Sequence, residues 1–272
     1  MTTREDAKEL MRKVTLKRQA VMARIAELFD PVGLLEPIKL QLKLYLSRLN
    51  DKDWKETLSP EEQEFWCEKL AEFVDLPKIR VPRCVIPAGF DKQDIRLVCF
   101  ADAATVAGGV AVYAGVEIAL GVYSSALVAA KSRLMKGTVP RNELSAIMLM
   151  IELAIVVKRA LGDRVKEVVY VSDSMIVQSL CFSLEKKLHL LVQNRVATIL
   201  RMVQWTLNLE DGDPLPLYHI EGEINKHDLL TKEHSIGAQD VSEGSLWQTG
   251  PLWLLKPVSQ MPMKKYDQIF LR

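Results

Sequence analysis

The order of elements beyond Gly89 constrains this chain more than any other feature of its sequence. Residues 95–100 form a short apolar run that closes on Asp102. Residues 108–113 are valine-rich, and residues 117–123 and 126–130 supply further strand material. Pro140 then opens a long apolar helix to about residue 161, and residues 168–171 are a β-branched run ending on Ser172-Asp173. Helices are predicted over residues 174–183 and 188–209, a last strand over 215–220, and a final helix over 225–232. A block of strands followed by alternating strand and helix predicts an α/β domain. Its mixed sheet is antiparallel first and parallel later, with helices on both faces.

Residues 1–88 read differently. Leu10, Met11, Val14, Val21, Ile25, Leu28 and Phe29 recur at helical spacing, and Asp30-Pro31-Val32-Gly33 breaks the pattern with a turn. Residues 34–49 resume it. Ser59-Pro60-Glu61-Glu62 is a helix start, with Ser59 as N-cap and Glu62 completing a capping box. Pro77, Pro82 and Pro87 then punctuate an extended linker, because proline lacks a backbone donor and keeps its predecessor out of the helical region. The expected organisation is a helical region over 1–88, an α/β domain over 89–236 and an aromatic tail over 237–272.

Composition narrows the function classes. Lys+Arg 36 against Asp+Glu 35 leaves a net charge of +1, so any nucleic-acid contact must come from a local patch. Cys67, Cys84, Cys99 and Cys181 form no Cys-x-x-Cys pair, which argues against a zinc ribbon or a disulfide framework. The N-terminus is charged, and the most apolar run, 144–157, contains Glu152 and is too short to span a bilayer. The expectation is a soluble intracellular protein of cytoplasm or nucleus, with no membrane partner. Gly108-Gly109 precedes a strand and lacks the third glycine of a dinucleotide fingerprint, and neither a Gly-Lys-Ser/Thr phosphate loop nor a Gly-x-Ser-x-Gly elbow occurs.

Four carboxylates sit where strands end or helices begin: Asp102, Glu143, Asp173 and Asp228. If the first strand and the 168–171 strand are neighbours, Asp102 and Asp173 emerge side by side, and the helix entrance brings Glu143 to the same edge. Oxygen ligands converging there suit hard cations such as Mg²⁺ or Mn²⁺. Two such ions can activate water and stabilise the leaving oxygen in phosphodiester hydrolysis. Each carboxylate also has a plain structural reading. Asp173 can be an N-cap, Asp228 can close a capping box with Asn225, and Glu143 can complement a helix N-terminus.

The sequence resembles the ribonuclease H-like region of Pao/BEL-type retrotransposon polyproteins. The resemblance rests on Phe100-Ala101-Asp102-Ala103, Ala130-Lys131-Ser132-Arg133, Pro140-Arg141-Asn142-Glu143-Leu144, Ser172-Asp173-Ser174 and Asn194-Arg195-Val196. It continues through residues 222–230 and Trp247…Gly250-Pro251-Leu252-Trp253-Leu254. Phe29-Asp30-Pro31-Val32-Gly33-Leu34-Leu35-Glu36-Pro37 is similar to the segment after the polymerase palm in such polyproteins. The resemblance implies a ribonuclease H-like five-stranded sheet behind a helical thumb or connection region. It also implies two-metal hydrolysis of the RNA strand of RNA–DNA hybrids at Asp102, Glu143, Asp173 and Asp228, and an upstream reverse transcriptase palm region as partner. The chain departs from the family at Ala101 and Ala104, and at Lys226-His227 before Asp228.

Lys131, Arg133, Lys136 and Arg141 cluster before Glu143, and such a strip suits the phosphates of a nucleic acid. A solvated connection is its alternative reading. Arg12, Lys13, Lys17, Arg18 and Arg24 form a second basic stretch, read as a solvated helix face. His219, His227 and His234 lie near the last carboxylate and are read as ordinary histidines, although one could shuttle a proton. Trp205 is expected in the core, and Trp247 and Trp253 are expected to dock the tail. The rival functions are a non-catalytic nucleic-acid-binding or connecting module of a polyprotein and an aspartic-type peptidase, a label such families sometimes carry. Ser172-Asp173-Ser174-Met175 lacks the glycine of an aspartic-protease loop, in which two carboxylates share a proton.

Overall fold

The structure, a computed structural model, describes residues 3–82, 84–90, 92–175, 189–210, 216–222, 224 and 236–265. The predicted helices over 174–183 and 225–232 fall almost wholly outside these residues. Four helices open the chain: α1 (Arg4–Arg12), α2 (Arg18–Ala26), α3 (Glu36–Ser47) and α4 (Pro60–Ala71). The capping box at the start of α4 forms as the sequence specifies: Ser59 Oγ accepts from the Glu62 amide, and the Glu62 carboxylate accepts from the Ser59 amide at 2.7 Å.

The sheet contains β1 (Ile95–Ala103), β2 (Ala107–Gly115), β5 (Ala126–Leu134), β6 (Val165–Ser172) and β7 (Leu217–Ile220), in the spatial order β5-β2-β1-β6-β7. β1 pairs antiparallel with β2 and parallel with β6, and β6 pairs parallel with β7. This is the mixed sheet that the element order requires. The tail adds a sixth strand, β8 (Met263–Lys265), antiparallel to β7. The strand material at 117–123 leaves the sheet and folds on itself as a separate hairpin of β3 (Glu117–Ala119) and β4 (Val122–Tyr123). Gly121 supplies the positive φ of +71° that the tight turn needs.

Helix α5 (Val139–Leu161) is 23 residues long. Its apolar stripe of Leu144, Ile147, Ile151, Ala154 and Ile155 packs on one face of the sheet, against Leu97, Cys99, Val110, Val112 and Tyr170. Helix α6 (Leu190–Leu207) joins this core through Val196, Ile199 and Val203. The alternate strand positions, Val98, Phe100, Ala111, Tyr113, Val169 and Val171, point into a second core. That core draws Val21, Ile38, Trp66 and Leu70 from the N-terminal helices, and Trp247, Leu254 and Met261 from the tail. The helical region thus covers the sheet face that α5 leaves open.

Polar bonds fasten this second layer. The Ala130 amide on β5 donates to the Val32 carbonyl at 2.7 Å, where the predicted turn before α3 meets the sheet. Buried Glu36 accepts from the Ser132 amide at 2.9 Å and from its hydroxyl at 2.5 Å, with the Lys39 ammonium 3.0 Å away. Trp247 Nε1 donates to the Leu34 carbonyl, and Tyr113 Oη donates to the Trp247 carbonyl. The tail docks through its indoles, as the sequence predicts: Trp247 is fully buried, and Trp253 is half-buried against the Phe100 ring. Among the described residues no helix is long and apolar enough to cross a membrane.

Candidate active site

Strands β1, β5, β6 and β7 all run in one direction, so their C-terminal ends lie along one edge of the sheet. Helix α5 begins at that edge, because the short link from β5 leads straight into Val139. The β1–β6 register pairs Ala101 with Ser172, which places Asp102, the next residue of β1, beside Asp173, the first residue after β6. Glu143 is the fifth residue of α5, one position beyond the first turn. Ser174 Oγ donates to Glu143 Oε2 at 2.7 Å, closing the gap between the helix and the end of β6. Asp102, Glu143 and Asp173 are all half-buried, and Asp228 lies outside the described residues.

Glu143 carries the electrostatic signature of this crowding. Burial pushes its carboxyl above the usual range, and the charges of Asp173 and Asp102 push it further, against the lowering effect of the Ser174 hydroxyl. The donor set is all oxygen, so in chemical kind it fits a hard divalent cation, which would relieve the repulsion. Among the described residues no three His, Cys, Asp or Glu side chains close around one point.

The helix entrance is held from two further directions. Asn142, 4% exposed, donates its side-chain amide to the carbonyls of Ala104 and Thr105, both at 2.9 Å. Those carbonyls belong to the turn that follows β1, just beyond Asp102. Arg195 on α6 donates to the Arg141 carbonyl at 3.2 Å and to Ser145 Oγ at 2.9 Å. Asn142, Ser174 and Arg195 were not singled out by sequence reasoning as parts of the site. A readable signal existed for Asn142: it falls on the buried stripe of α5, one and two turns before Ala146 and Leu149, where a polar side chain needs partners.

The basic residues divide into two groups. Lys131 and Arg133 stand exposed on β5, an edge strand, on the face opposite Ser132; Lys136 is exposed in the link to α5 and Arg141 in its first turn. Among the described residues none of these four takes part in an ion pair. The second stretch is largely occupied within the helical layer. Arg12 pairs with Glu64, Arg24 with Glu27, and Arg18 donates to the Lys52 carbonyl while lying over the Trp54 ring. His219 on β7 faces Ser172 across the ladder, and burial lowers its pKa. His227 and His234 lie outside the described residues.

Trp205 corrects the sequence reading. Its indole is 62% exposed, with the Arg159 guanidinium 5.1 Å from the ring centroid. The buried stripe of α6 passes through Val196, Ile199 and Val203, and a residue two positions beyond Val203 points to the far side of the helix.

Comparison with known proteins adds a decisive observation. The model of a family described as the Pao retrotransposon-like RNaseH-like domain matches residues 17–174, more than half of the chain. The chain belongs to this family. Its fold is the mixed α/β ribonuclease H-like fold, with the N-terminal helices applied to one sheet face. No curated protein matches the chain. Among solved structures, LC11-RNase H1 in complex with an RNA/DNA hybrid is 18% identical, with a TM-score of 0.37 over 50% of this chain and 93% of that one. RNase H1 from the halophilic archaeon Halobacterium salinarum is 14% identical, with a TM-score of 0.33 over 50% of this chain and 93% of that one. The foamy viral protease-reverse transcriptase in complex with an RNA/DNA hybrid is 15% identical, with a TM-score of 0.43 over 85% of this chain and 28% of that one.

Proposed function

We propose that this Pao-family domain is a divalent-metal-dependent nuclease acting on the RNA strand of RNA–DNA hybrids, within a retroelement polyprotein that carries a reverse transcriptase palm upstream. The observation that supports this most is the meeting of Asp102, Glu143 and Asp173 at one sheet edge in a chain of this family. In this reading Asp102, Glu143, Asp173 and Asp228 hold Mg²⁺ or Mn²⁺, as two ions. Bound divalent cations supply Lewis acidity at phosphodiester oxygens and a water acidic enough to attack near neutral pH. Asp102 and Asp173 provide carboxylate oxygens from adjacent strand ends. Ser174 holds the Glu143 carboxylate in one orientation at the helix entrance. Lys131, Arg133, Lys136 and Arg141 offer exposed cations that would seat substrate phosphates. The sequence segments 1–88, 89–236 and 237–272 act together in this reading, since one core takes side chains from each.

The test is a labelled RNA–DNA hybrid incubated with the purified chain in Mg²⁺, in Mn²⁺ and in chelator, beside Asp102→Asn and Asp173→Asn variants. Metal-dependent cutting that both variants lose is expected. A folded chain that cuts nothing with either metal overturns the nuclease reading. The alternative to be distinguished is a hybrid-binding module without turnover. Salt-dependent hybrid binding without cutting is the result that selects it.

A further inference from the structure

Asp102 and Glu143 come from different elements, and their separation is set by how the N-terminal turns of α5 seat against the end of β1. Ser174 bonds Glu143 to the β6 side, and Arg195 ties Arg141 and Ser145 to α6. The connection to the β1 side is made by Asn142, the neighbour of Glu143. Its buried amide donates to the Ala104 and Thr105 carbonyls at 2.9 Å, two and three residues past Asp102. The segment that carries these carbonyls makes a tight reversal, in which the Ala104 amide donates to the Ala107 carbonyl and the Met135 amide to the Val106 carbonyl.

The pocket that receives this amide is built by a missing side chain. A Cβ placed at Gly137 would stand 2.7 Å from Asn142 Oδ1 and 3.5 Å from the Arg141 Cβ. The Gly137 carbonyl also lies 3.5 Å from Asn142 Nδ2. A Cβ at Gly137 would therefore force the Asn142 side chain to shift. A methyl group there displaces the amide and leaves its chemistry intact.

We propose that Asn142, seated in the space left by Gly137, is the positioning residue that fixes Glu143 relative to Asp102. The inference rests on the nuclease reading above for its functional consequence, and on the two carbonyl bonds for its geometry. Reacting groups displaced by about 1 Å cost on the order of 100-fold in rate. Loss of the tie therefore lowers kcat by roughly 10- to 100-fold, with KM for the hybrid unchanged, because the exposed cations that would seat the phosphates are untouched.

The experiment compares the full-length chain with Asn142→Ala, Gly137→Ala and the double variant. Four readouts are taken: kcat and KM on a labelled hybrid, Mn²⁺ affinity by titration, thermal unfolding, and amide hydrogen exchange. Both single variants are expected to lose kcat and Mn²⁺ affinity while remaining folded. The double variant is expected to be no worse than Asn142→Ala, since the methyl group acts through a side chain already gone. The Ala104 and Met135 amides exchange faster in both, with Val168–Val171 unchanged. Folded variants with kcat and Mn²⁺ affinity within twofold of the parent overturn the proposal and leave Asn142 a structural residue only. If the parent itself neither cuts nor binds Mn²⁺, the nuclease reading falls, and the tie is judged on exchange alone. Unchanged protection at Ala104 and Met135 then overturns it.

Discussion

At Gly33 the helical layer comes close against the backbone of the sheet, and Gly33→Ala tests that contact. The residue adopts φ +80°, and a Cβ there would lie 2.6 Å from the carbonyl carbon of Ala130 and closer still to its oxygen. Two costs follow. An L-residue in the left-handed region costs about 1–2 kcal/mol. Relieving the overlap means parting the turn from β5, which breaks the bond from the Ala130 amide to the Val32 carbonyl and leaves a buried donor, at about 1–3 kcal/mol. The expected destabilisation is therefore about 2–5 kcal/mol. Urea unfolding followed by tryptophan fluorescence reads it, because Trp66 and Trp247 are buried in the core beneath the contact. Gly89→Ala is the control: it has φ +88° and no atom within 4 Å of its added Cβ, so it carries the backbone cost alone. If the two variants lose the same stability, the close approach between turn and sheet contributes nothing and the reasoning fails.

Glu36 gives the chain an acid-sensitive joint. Burial raises its carboxyl, but the Ser132 hydroxyl and the Lys43 and Lys39 charges outweigh that and hold it below the usual range. Its folded value is depressed, so its stabilisation is present above the unfolded glutamate value of about 4.3 and is lost as pH falls through the lower folded value. Thermal melts from pH 6 to 3 are expected to show a flatter dependence in Glu36→Gln, and an unchanged slope refutes the assignment. Arg96, 4% exposed, donates to the Leu254 and Lys256 carbonyls and stacks over Tyr123. Arg96→Met is expected to open residues 252–262 to limited proteolysis before the sheet unfolds, and protection equal to the parent's contradicts this. Tyr113→Phe removes the buried donor to the Trp247 carbonyl and is expected to cost about 1 kcal/mol in urea unfolding. A variant as stable as the parent shows that the hydroxyl contributes nothing.

The parts of the fold that were legible in the sequence have one-dimensional signals. The run over 95–100, the capping box at Ser59 and the stripe on α5 each declare their element through local spacing and termini. The pairing of Asp102 with Asp173 followed from one assumption, that β1 and β6 are neighbours, which the register meets. What was not legible depends on distant partners. Residues 263–265 carry no strand pattern and become β8 only because β7 offers an open edge. Residues 117–123 read as sheet material, yet Gly115 and Gly121 let them turn away as a hairpin. The helical layer looked separable because the prolines after Ala71 suggest a linker, whereas Ile38, Trp66 and Leu70 find their burial against strand residues. Trp205 was misjudged because spacing from Arg201 and Leu209 does not reveal which side of α6 faces the sheet.

The bond between Trp247 and Leu34 joins residues 213 positions apart, and this sets a schedule for synthesis. When the N-terminal helices and the strands have left the ribosome, the face bearing Phe100 and Tyr113 still lacks Trp247, Leu254 and Met261. At roughly 5–20 residues per second, the interval between making Tyr113 and making Trp247, 134 positions apart, lasts on the order of 7–27 seconds. For that time the nascent chain displays an incompletely covered apolar sheet face, the kind of surface that recruits chaperones or promotes aggregation. The tail is thus made after the strands it covers, and its arrival ends the exposure.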